Sequence, residues 1–249
     1  MFPVQDNAPR QSVPLATYFL IALNVAVFLV EISLPPPVLE KVIYYFGVVP
    51  ARYTNPHLES QVLFPGLKYL AFLTCMFLHG GWVHLIGNMW TLWIFGDNVE
   101  DRMGSLRFLI FYFLCGFAAS LTHIYMHPHS TVPTIGASGA ISGVLGAYYA
   151  LFPLARLIVM IPIFIFPFFF EIPAVLYLAW WFFIQVFSGT LSVVHGEIAG
   201  GVAWWAHTGG FVAGLLLHRL FCLGRRKIFY RDEETPWGVL PLVFEKTNR

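Results

Sequence analysis

The sequence predicts an all-α fold of the polytopic membrane class, a bundle of six transmembrane helices. Of the 249 residues, 58% are hydrophobic and 11% are charged, whereas about a quarter of the residues in soluble domains are charged. The apolar residues also gather in long segments, and an α-helix needs about 20 of them to cross the hydrocarbon core of a membrane. Both observations exclude an ordinary soluble domain and indicate an integral membrane protein.

Six apolar segments bounded by charged or turn-forming residues are predicted to be the membrane spans. They are residues 15–34, 82–95, 106–126, 136–152, 172–188 and 201–221. The second segment is short, and the apolar residues 67–78 before it are interpreted as a loop that dips into the interface. Residues 157–170 are interrupted by Pro162 and Pro167, so we interpret them as an interfacial connection, with a seventh span as the alternative.

The distribution of Lys and Arg predicts the orientation of the chain. With the N-terminus in the cytoplasm, most of these residues fall on the inner side, as the positive-inside rule requires, and the C-terminus is cytoplasmic as well. The predicted organisation is a cytoplasmic segment 1–14, a membrane domain 15–222 and a cytoplasmic tail 223–249. The basic run Arg225, Arg226 and Lys227 is interpreted as a positive-inside flank, and a lipid-binding or partner motif is the alternative.

Polar side chains inside a bilayer are costly, so they are the first candidates for function. In the second span, HLIGNMW places His84 and Asn88 four residues apart, on one face of a helix. Their alternative role is an interhelical hydrogen bond that packs the bundle.

The segment GASGAISG opens the fourth predicted span and places Ser138 at its start. The first N–H groups of a helix have no intrahelical partner and attract negative charge, so an oxyanion would be stabilised there. Gly136, Gly139 and Gly143 surround this serine, and small residues four apart let a neighbouring helix approach closely. Helix packing alone is the alternative explanation of this pattern.

The sixth span contains WWAHTGGFVAG, in which Gly210 and Gly214 follow His207 on the same helix face. A packed core histidine is the alternative. Ser138, His207 and the pair in the second span nevertheless all fall in the outer third of the predicted bundle. Gly139 with Gly143, and Gly210 with Gly214, form a glycine ridge on each of the two helices. Close contact between these ridges could bring the serine and the histidine within hydrogen-bonding distance.

Acyl transfer is the chemistry that these residues predict. A serine hydroxyl needs a base to become a nucleophile, and a neutral histidine supplies one. His84 and Asn88, with the backbone N–H of Ser138, would stabilise the tetrahedral oxyanion. Because Asp and Glu are absent at this depth, packing and the aromatic neighbours Trp204 and Trp205 are expected to orient His207.

These motifs resemble those of the rhomboid intramembrane serine proteases: HxxxN in the second span, GASG at the start of the fourth and AHTGG in the sixth. The segment FLHGGWVHLIGNMWTLWIFGDNVEDRMG is similar to bacterial members. The resemblance implies a Ser138–His207 dyad, oxyanion donors His84 and Asn88, and a structural role for Glu100 and Arg102. It assigns no catalytic role to His79, which lies five residues before His84.

Two features depart from the pattern of the family. Some members carry a tyrosine one turn after the nucleophile, where this chain has Ser142, and some carry a Trp–Arg pair in the first outer loop, which is not found between Pro36 and His79. The missing tyrosine leaves open how His207 is held.

The resemblance implies an intramembrane serine endopeptidase that needs no cofactor and no metal. The expected partners are transmembrane protein substrates, cut near small residues at the outer face, and membrane lipid. Nucleic acid is not expected, and the oligomeric state is left open. The bacterial inner membrane is the expected location.

The alternative function is that of a rhomboid-like pseudoenzyme that binds membrane helices without cleavage, although such proteins have generally lost the serine or the histidine. A transporter lacks support from repeats or paired ionisable residues, and the zinc-protease motif HExxH is absent.

Overall fold

The computed structural model describes residues 2–59, 66–163, 166–195 and 202–223. Most of these residues are helical. The elements in chain order are β1 (Phe2–Asp6), α1 (Leu15–Ser33), α2 (Pro36–Phe46), α3 (Ala51–Thr54), α4 (Pro56–Glu59), α5 (Leu67–Thr74), α6 (Trp82–Met103), α7 (Ser105–Met126), α8 (Ser138–Leu151), β2 (Arg156–Ile163), β3 (Phe166–Pro173), α9 (Ala174–His195) and α10 (Trp204–Phe221). The basic tail 224–249 and the predicted start of the sixth span at Gly201 lie outside the described residues.

Each of the six predicted spans coincides with one long helix of the structure: α1, α6, α7, α8, α9 and α10. Three of the helices in the described ranges are long and apolar enough to cross a membrane, namely Leu15–Ser33, Ser105–Met126 and Ala174–Val194. The prediction of a mostly helical integral membrane protein is therefore confirmed, and the count of six spans stays a prediction. The second segment is longer than predicted, because α6 continues to Met103.

The helix α8 lies in the centre of the bundle. It contacts α6, α7, α9 and α10, and its Val144, Ala147 and Tyr148 are fully buried. With 14 residues, it is about 21 Å long. Because neighbouring helices rather than lipid surround it, small and polar residues are tolerated there.

A three-stranded antiparallel sheet in the order β1-β2-β3 corrects the all-α prediction. The stretch 157–170, interpreted from the sequence as an interfacial connection with a seventh span as the alternative, forms the antiparallel hairpin of β2 and β3, in which Pro162 faces Pro167. Proline cannot continue a helix, and the Ile, Val and Phe residues around it favour strands. The N-terminal strand joins the hairpin through pairs such as Pro3 with Val159, a contact between distant parts of the chain.

The N-terminal segment is also tied to α6. The Trp90 indole N–H donates to the Pro3 carbonyl at 2.7 Å, and Arg10 forms an ion pair of 3.1 Å with Asp97. The N-terminal segment is therefore held along α6, at positions from Trp90 to Asp97.

Candidate active site

Close backbone contact between α8 and α10 positions the site. A Cβ atom added at Gly210 would lie 2.0 Å from the Gly139 carbonyl oxygen, and one at Gly214 would lie 1.9 Å from that of Gly143. Real Cβ atoms do not approach a carbonyl so closely, so each position requires glycine. The two glycine ridges predicted from the sequence thus face each other and bring the N-terminal ends of both helices together.

Ser138 and His207 meet at that end. The Ser138 Oγ lies 2.8 Å from the His207 Nε2, although 69 residues separate them in the chain. Ser138 is the first residue of α8. His207 lies in the first turn of α10, which begins at Trp204, closer to the helix end than the predicted span would place it.

The other ring nitrogen of the histidine has a partner that was not predicted. The His207 Nδ1 is 2.8 Å from the Gln185 Oε1 on α9, and the Gln185 amide N–H donates to the Trp181 carbonyl at 3.1 Å. Aromatic neighbours are present as expected, with the Trp204 ring centroid 6.4 Å from that of His207. A polar residue inside an apolar span was a signal for Gln185, but an amide is less readily recognised than a carboxylate as a partner of a catalytic histidine.

His84 and Asn88 lie beside Gly136, two residues before Ser138. A Cβ atom at Gly136 would be 2.6 Å from the His84 Nε2 and 3.6 Å from the Asn88 Nδ2, and its φ of +122° also favours glycine. The Gly80 N–H donates to the His84 Nδ1 at 3.4 Å, so a neutral His84 carries its proton on Nε2. Both side chains therefore present N–H groups to the segment that leads into α8.

His79 and Glu31 connect Asn88 to helix α1 through hydrogen bonds. The Asn88 amide donates to the His79 Nε2 at 3.1 Å, and the His79 Nδ1 is 3.2 Å from the Phe77 carbonyl. The backbone N–H of His79 donates to the Glu31 carboxylate on α1. Glu31, an acidic residue inside a predicted span, was not recognised from the sequence.

The rhomboid domain model matches residues 67–224, more than half of the chain, and all four predicted catalytic and oxyanion residues lie within it. The chain belongs to the rhomboid family. The resemblance inferred from three short motifs is thereby confirmed. Family membership typically means an intramembrane serine protease.

Similar rhomboid proteins come from several kingdoms. The chain is 36% identical to the rhomboid protease GluP of Bacillus subtilis over 135 residues, which are 54% of this chain and 24% of that protein. It is 30% identical to RHOMBOID-like protein 1 of Arabidopsis thaliana over 165 residues, 66% of this chain and 38% of the relative. Rhomboid protein 1, mitochondrial, of Saccharomyces cerevisiae is 31% identical over 150 residues, 56% and 38% of the two chains. The chain thus spans well under half of the length of these relatives.

The structure shows which side chains occupy the two places where the chain departs from the rhomboid pattern, and what they contact. Ser142 donates its hydroxyl hydrogen bond to the Ser138 carbonyl at 2.6 Å, so it bonds within its own helix rather than to the histidine. In the first loop, Arg52 is buried and its guanidinium lies 3.8 Å above the ring of Tyr44. The first loop therefore contains an arginine stacked on tyrosine, and not a Trp–Arg pair.

Glu100 and Arg102, the polar pair noted in the rhomboid motif, lie near the C-terminal end of α6, whereas His84 and Asn88 lie near its N-terminal end. Glu100 is buried and accepts a hydrogen bond of 2.6 Å from the Ser105 hydroxyl and one of 2.9 Å from the Ala16 N–H. Arg102 lies in the last turn of α6. The hydrogen bonds of Glu100 join α6 to the start of α1 and to the start of α7.

A small cavity of about 20 Å³ adjoins Ser138 in this rhomboid domain. Small side chains line it, and Ser120 and Thr134 supply hydroxyl groups. A cavity of this size has room for about one water molecule.

Proposed function

We propose that this rhomboid protein is an intramembrane serine endopeptidase in which Ser138 is the nucleophile and His207 the general base. The observation that carries the proposal is the 2.8 Å contact between the Ser138 Oγ and the His207 Nε2. As the Oγ attacks the scissile carbonyl carbon, its proton passes to Nε2, and the imidazolium then gives this proton to the leaving amine. The product is an acyl-enzyme on Ser138.

The tetrahedral intermediate needs hydrogen-bond donors for its negative oxygen. His84 Nε2–H, Asn88 Nδ2–H and the backbone N–H of Ser138 are suited to this role, because the first two border Gly136 and the third belongs to the first turn of α8, where the N–H groups have no intrahelical partner. Loss of one such donor typically costs about 3 kcal/mol of transition-state stabilisation. A substitution of either side chain would thus impair the reaction without abolishing it.

Deacylation needs water at a depth where lipid supplies none. The cavity lined by Ser138, Ser120 and Thr134 would hold a water molecule next to the acyl-enzyme. His207 would take a proton from that water while its oxygen attacks the acyl carbon, and would return the proton to the Ser138 Oγ. The enzyme is then restored without any cofactor.

The proposed substrates are transmembrane segments of other membrane proteins, cut near small residues at the outer membrane face. This follows from family membership and from the proposed topology of six spans with both termini in the cytoplasm, which rests on the positive-inside rule. Such a segment must unwind locally, since a carbonyl within a helix is hydrogen-bonded. We place the protein in a bacterial inner membrane, although its named relatives also include plant and mitochondrial proteins.

Fluorophosphonate labelling of the purified full chain in detergent tests the proposal. The wild type is expected to be labelled on Ser138, and the label should disappear in Ser138→Ala and His207→Ala. Ser142→Ala removes another hydroxyl of α8, and His127→Ala another imidazole, so these matched controls should label normally. Peptide mapping by mass spectrometry identifies the modified serine.

A wild-type protein that elutes as a folded monodisperse species but takes no label would contradict the proposal. That result favours the rhomboid-like pseudoenzyme, which would bind transmembrane segments without cutting them. Cleavage of a model transmembrane substrate in vesicles provides the second readout. Ser138→Ala and His207→Ala should each abolish this cleavage.

A further inference from the structure

We propose that Gln185 is a positioning residue that fixes the tautomer and the ring orientation of His207, the role that a carboxylate has in a Ser-His-Asp triad. The inference deepens the proposed function and rests on it for its catalytic meaning. Its structural content, the protonation of one particular ring nitrogen, does not depend on activity.

The orientation of the Gln185 amide follows from its second contact. Its NH₂ group donates to the Trp181 carbonyl one turn earlier in α9, at 3.1 Å. A carbonyl oxygen can only accept, so the nitrogen of the amide must face Trp181 and its oxygen must face His207.

The position of the histidine proton follows in turn. The Gln185 Oε1 is an acceptor that lies 2.8 Å from the His207 Nδ1, so the hydrogen bond requires a proton on Nδ1. A neutral imidazole then has its lone pair on Nε2, where the Ser138 hydroxyl lies at 2.8 Å. This is the tautomer that a general base for Ser138 requires, and the opposite tautomer would present N–H to the hydroxyl.

Burial makes this arrangement specific. The Gln185 side chain is 4% exposed, and a buried amide oxygen without a donor is costly. The same face of α9 is held against α10 by the Phe182–Phe211 ring pair, 4.6 Å apart, and by the Trp205 indole N–H, which donates to the Gly189 carbonyl at 3.0 Å. The amide oxygen is therefore fixed relative to the imidazole by packing on both sides.

The direct test is the tautomer of His207, measured by ¹⁵N NMR of histidine-labelled protein in detergent. The background is Ser138→Ala, which lacks the serine hydroxyl, so that Gln185 is the remaining side-chain partner in the described site. His207→Asn assigns the resonance by its disappearance. We expect Nδ1–H in this background and a shift toward Nε2–H in Ser138→Ala/Gln185→Met. Nε2–H in the background protein, or no change on the Met substitution, overturns the inference.

Labelling kinetics measure the catalytic consequence in the otherwise wild-type chain. Gln185→Met keeps the length of the side chain but removes the acceptor, and we expect about a tenfold slower fluorophosphonate reaction, the factor that one net hydrogen bond sets. Gln185→Glu keeps an acceptor oxygen at the same reach and should restore most of the rate, which mere packing would not do. Thr190→Val, also on α9, is the matched control and should react normally.

The two failures are distinguishable. An unlabelled wild type contradicts the proposed protease while the NMR measurement still decides the tautomer. A wild type that labels, beside Gln185→Met with the same rate and tautomer, overturns the role of Gln185 alone.

Discussion

Glu100 on α6 accepts hydrogen bonds from the backbone N–H and the hydroxyl of Thr17, both at 2.8 Å. The contact lies in the first turn of α1, whose N–H groups have no intrahelical partners, and the Ala16 N–H donates to the same carboxylate at 2.9 Å. One carboxylate thus satisfies the buried start of α1 and fixes this helix to α6. A negative charge at a helix N-terminus is also electrostatically favourable.

Glu100→Gln should therefore destabilise the bundle. The amide preserves the shape of the side chain but replaces one acceptor oxygen with a donor, which leaves a buried N–H or hydroxyl of α1 unpaired. We expect the free energy of unfolding to fall by about 2 kcal/mol, measured by denaturant titration in mild detergent micelles. Glu40→Gln, on the exposed face of α2, is the matched control, and an equal effect of both changes would refute this explanation.

The glycine contact between α8 and α10 predicts a loss of both stability and activity in Gly214→Ala. The added methyl group would overlap the Gly143 carbonyl, so the helices must separate, and overpacking of this kind costs about 1–3 kcal/mol. Separation also lengthens the Ser138–His207 contact. Gly87→Ala on α6 meets no atom within 4 Å and should leave the unfolding midpoint and labelling at or above those of the wild type.

The proximity of Ser138 and His207 was predicted from the sequence, whereas the sheet was not, and the catalytic roles of the site residues stay predictions. Ser138, His207, His84 and Asn88 lie in short motifs that combine polar residues with glycine in apolar helices, and this pattern is rare enough to stand out. Gln185 was missed because a lone amide gives no motif, and its role depends on the rotation of α9 against α10. That rotation arises from packing between helices and leaves no local signal.

The sheet was missed for a different reason. Strand β1 pairs with β2, about 150 residues later in the chain, and no periodicity within five residues predicts such a partner. The aromatic run of β3 shows no alternation of polar and apolar residues, so its strand period was hidden, and Pro162 and Pro167 suggested only a break. Non-local pairing and composition together obscured this part of the fold.

Asp6 gives the stability of this sheet a dependence on pH. Its carboxylate accepts hydrogen bonds from the Tyr148 hydroxyl and from the Asn98 amide at 2.9 Å, yet burial outweighs them and raises the pKa of Asp6 from 3.8 to about 6. The folded state therefore binds the proton more tightly than the unfolded chain. The contribution of Asp6 protonation to the free energy of unfolding is fully present below about pH 4, and it is lost as the pH rises through about 6.

Asp6→Asn removes this titration and keeps an acceptor oxygen. The free energy of unfolding of the wild type, relative to that of the variant, should decrease between pH 4 and pH 7 and then become constant, as measured by denaturant titration over this range. A difference that increases with pH would contradict the sign of the shift. Gln5→Ala, exposed on the same strand, removes no titratable group and should remain parallel to the wild type.

The strand β3 has an aromatic surface of exposed phenylalanine side chains, and the contact of such side chains with water is unfavourable. Phe166, Phe168, Phe169 and Phe170 are between 36% and 65% exposed, and the strand leads directly into the apolar helix α9. Burial of such side chains is worth about 25 cal/mol per Å² of apolar surface, and lipid can supply this burial. We therefore expect β3 to lie in the lipid interface.

A spin label at residue 169 measures this placement in lipid vesicles. Phe169→Cys is made in a Cys222→Ser background, since Cys75 and Cys115 are buried. The label should collide with dissolved oxygen more often than with a water-soluble nickel chelate. Gln5→Cys, exposed on β1 of the same sheet, is the control and should show the opposite preference, because its side chain is polar and not part of the aromatic surface. A nickel accessibility at residue 169 that is as high as at residue 5 would place the hairpin in water. The aromatic surface would then require another partner.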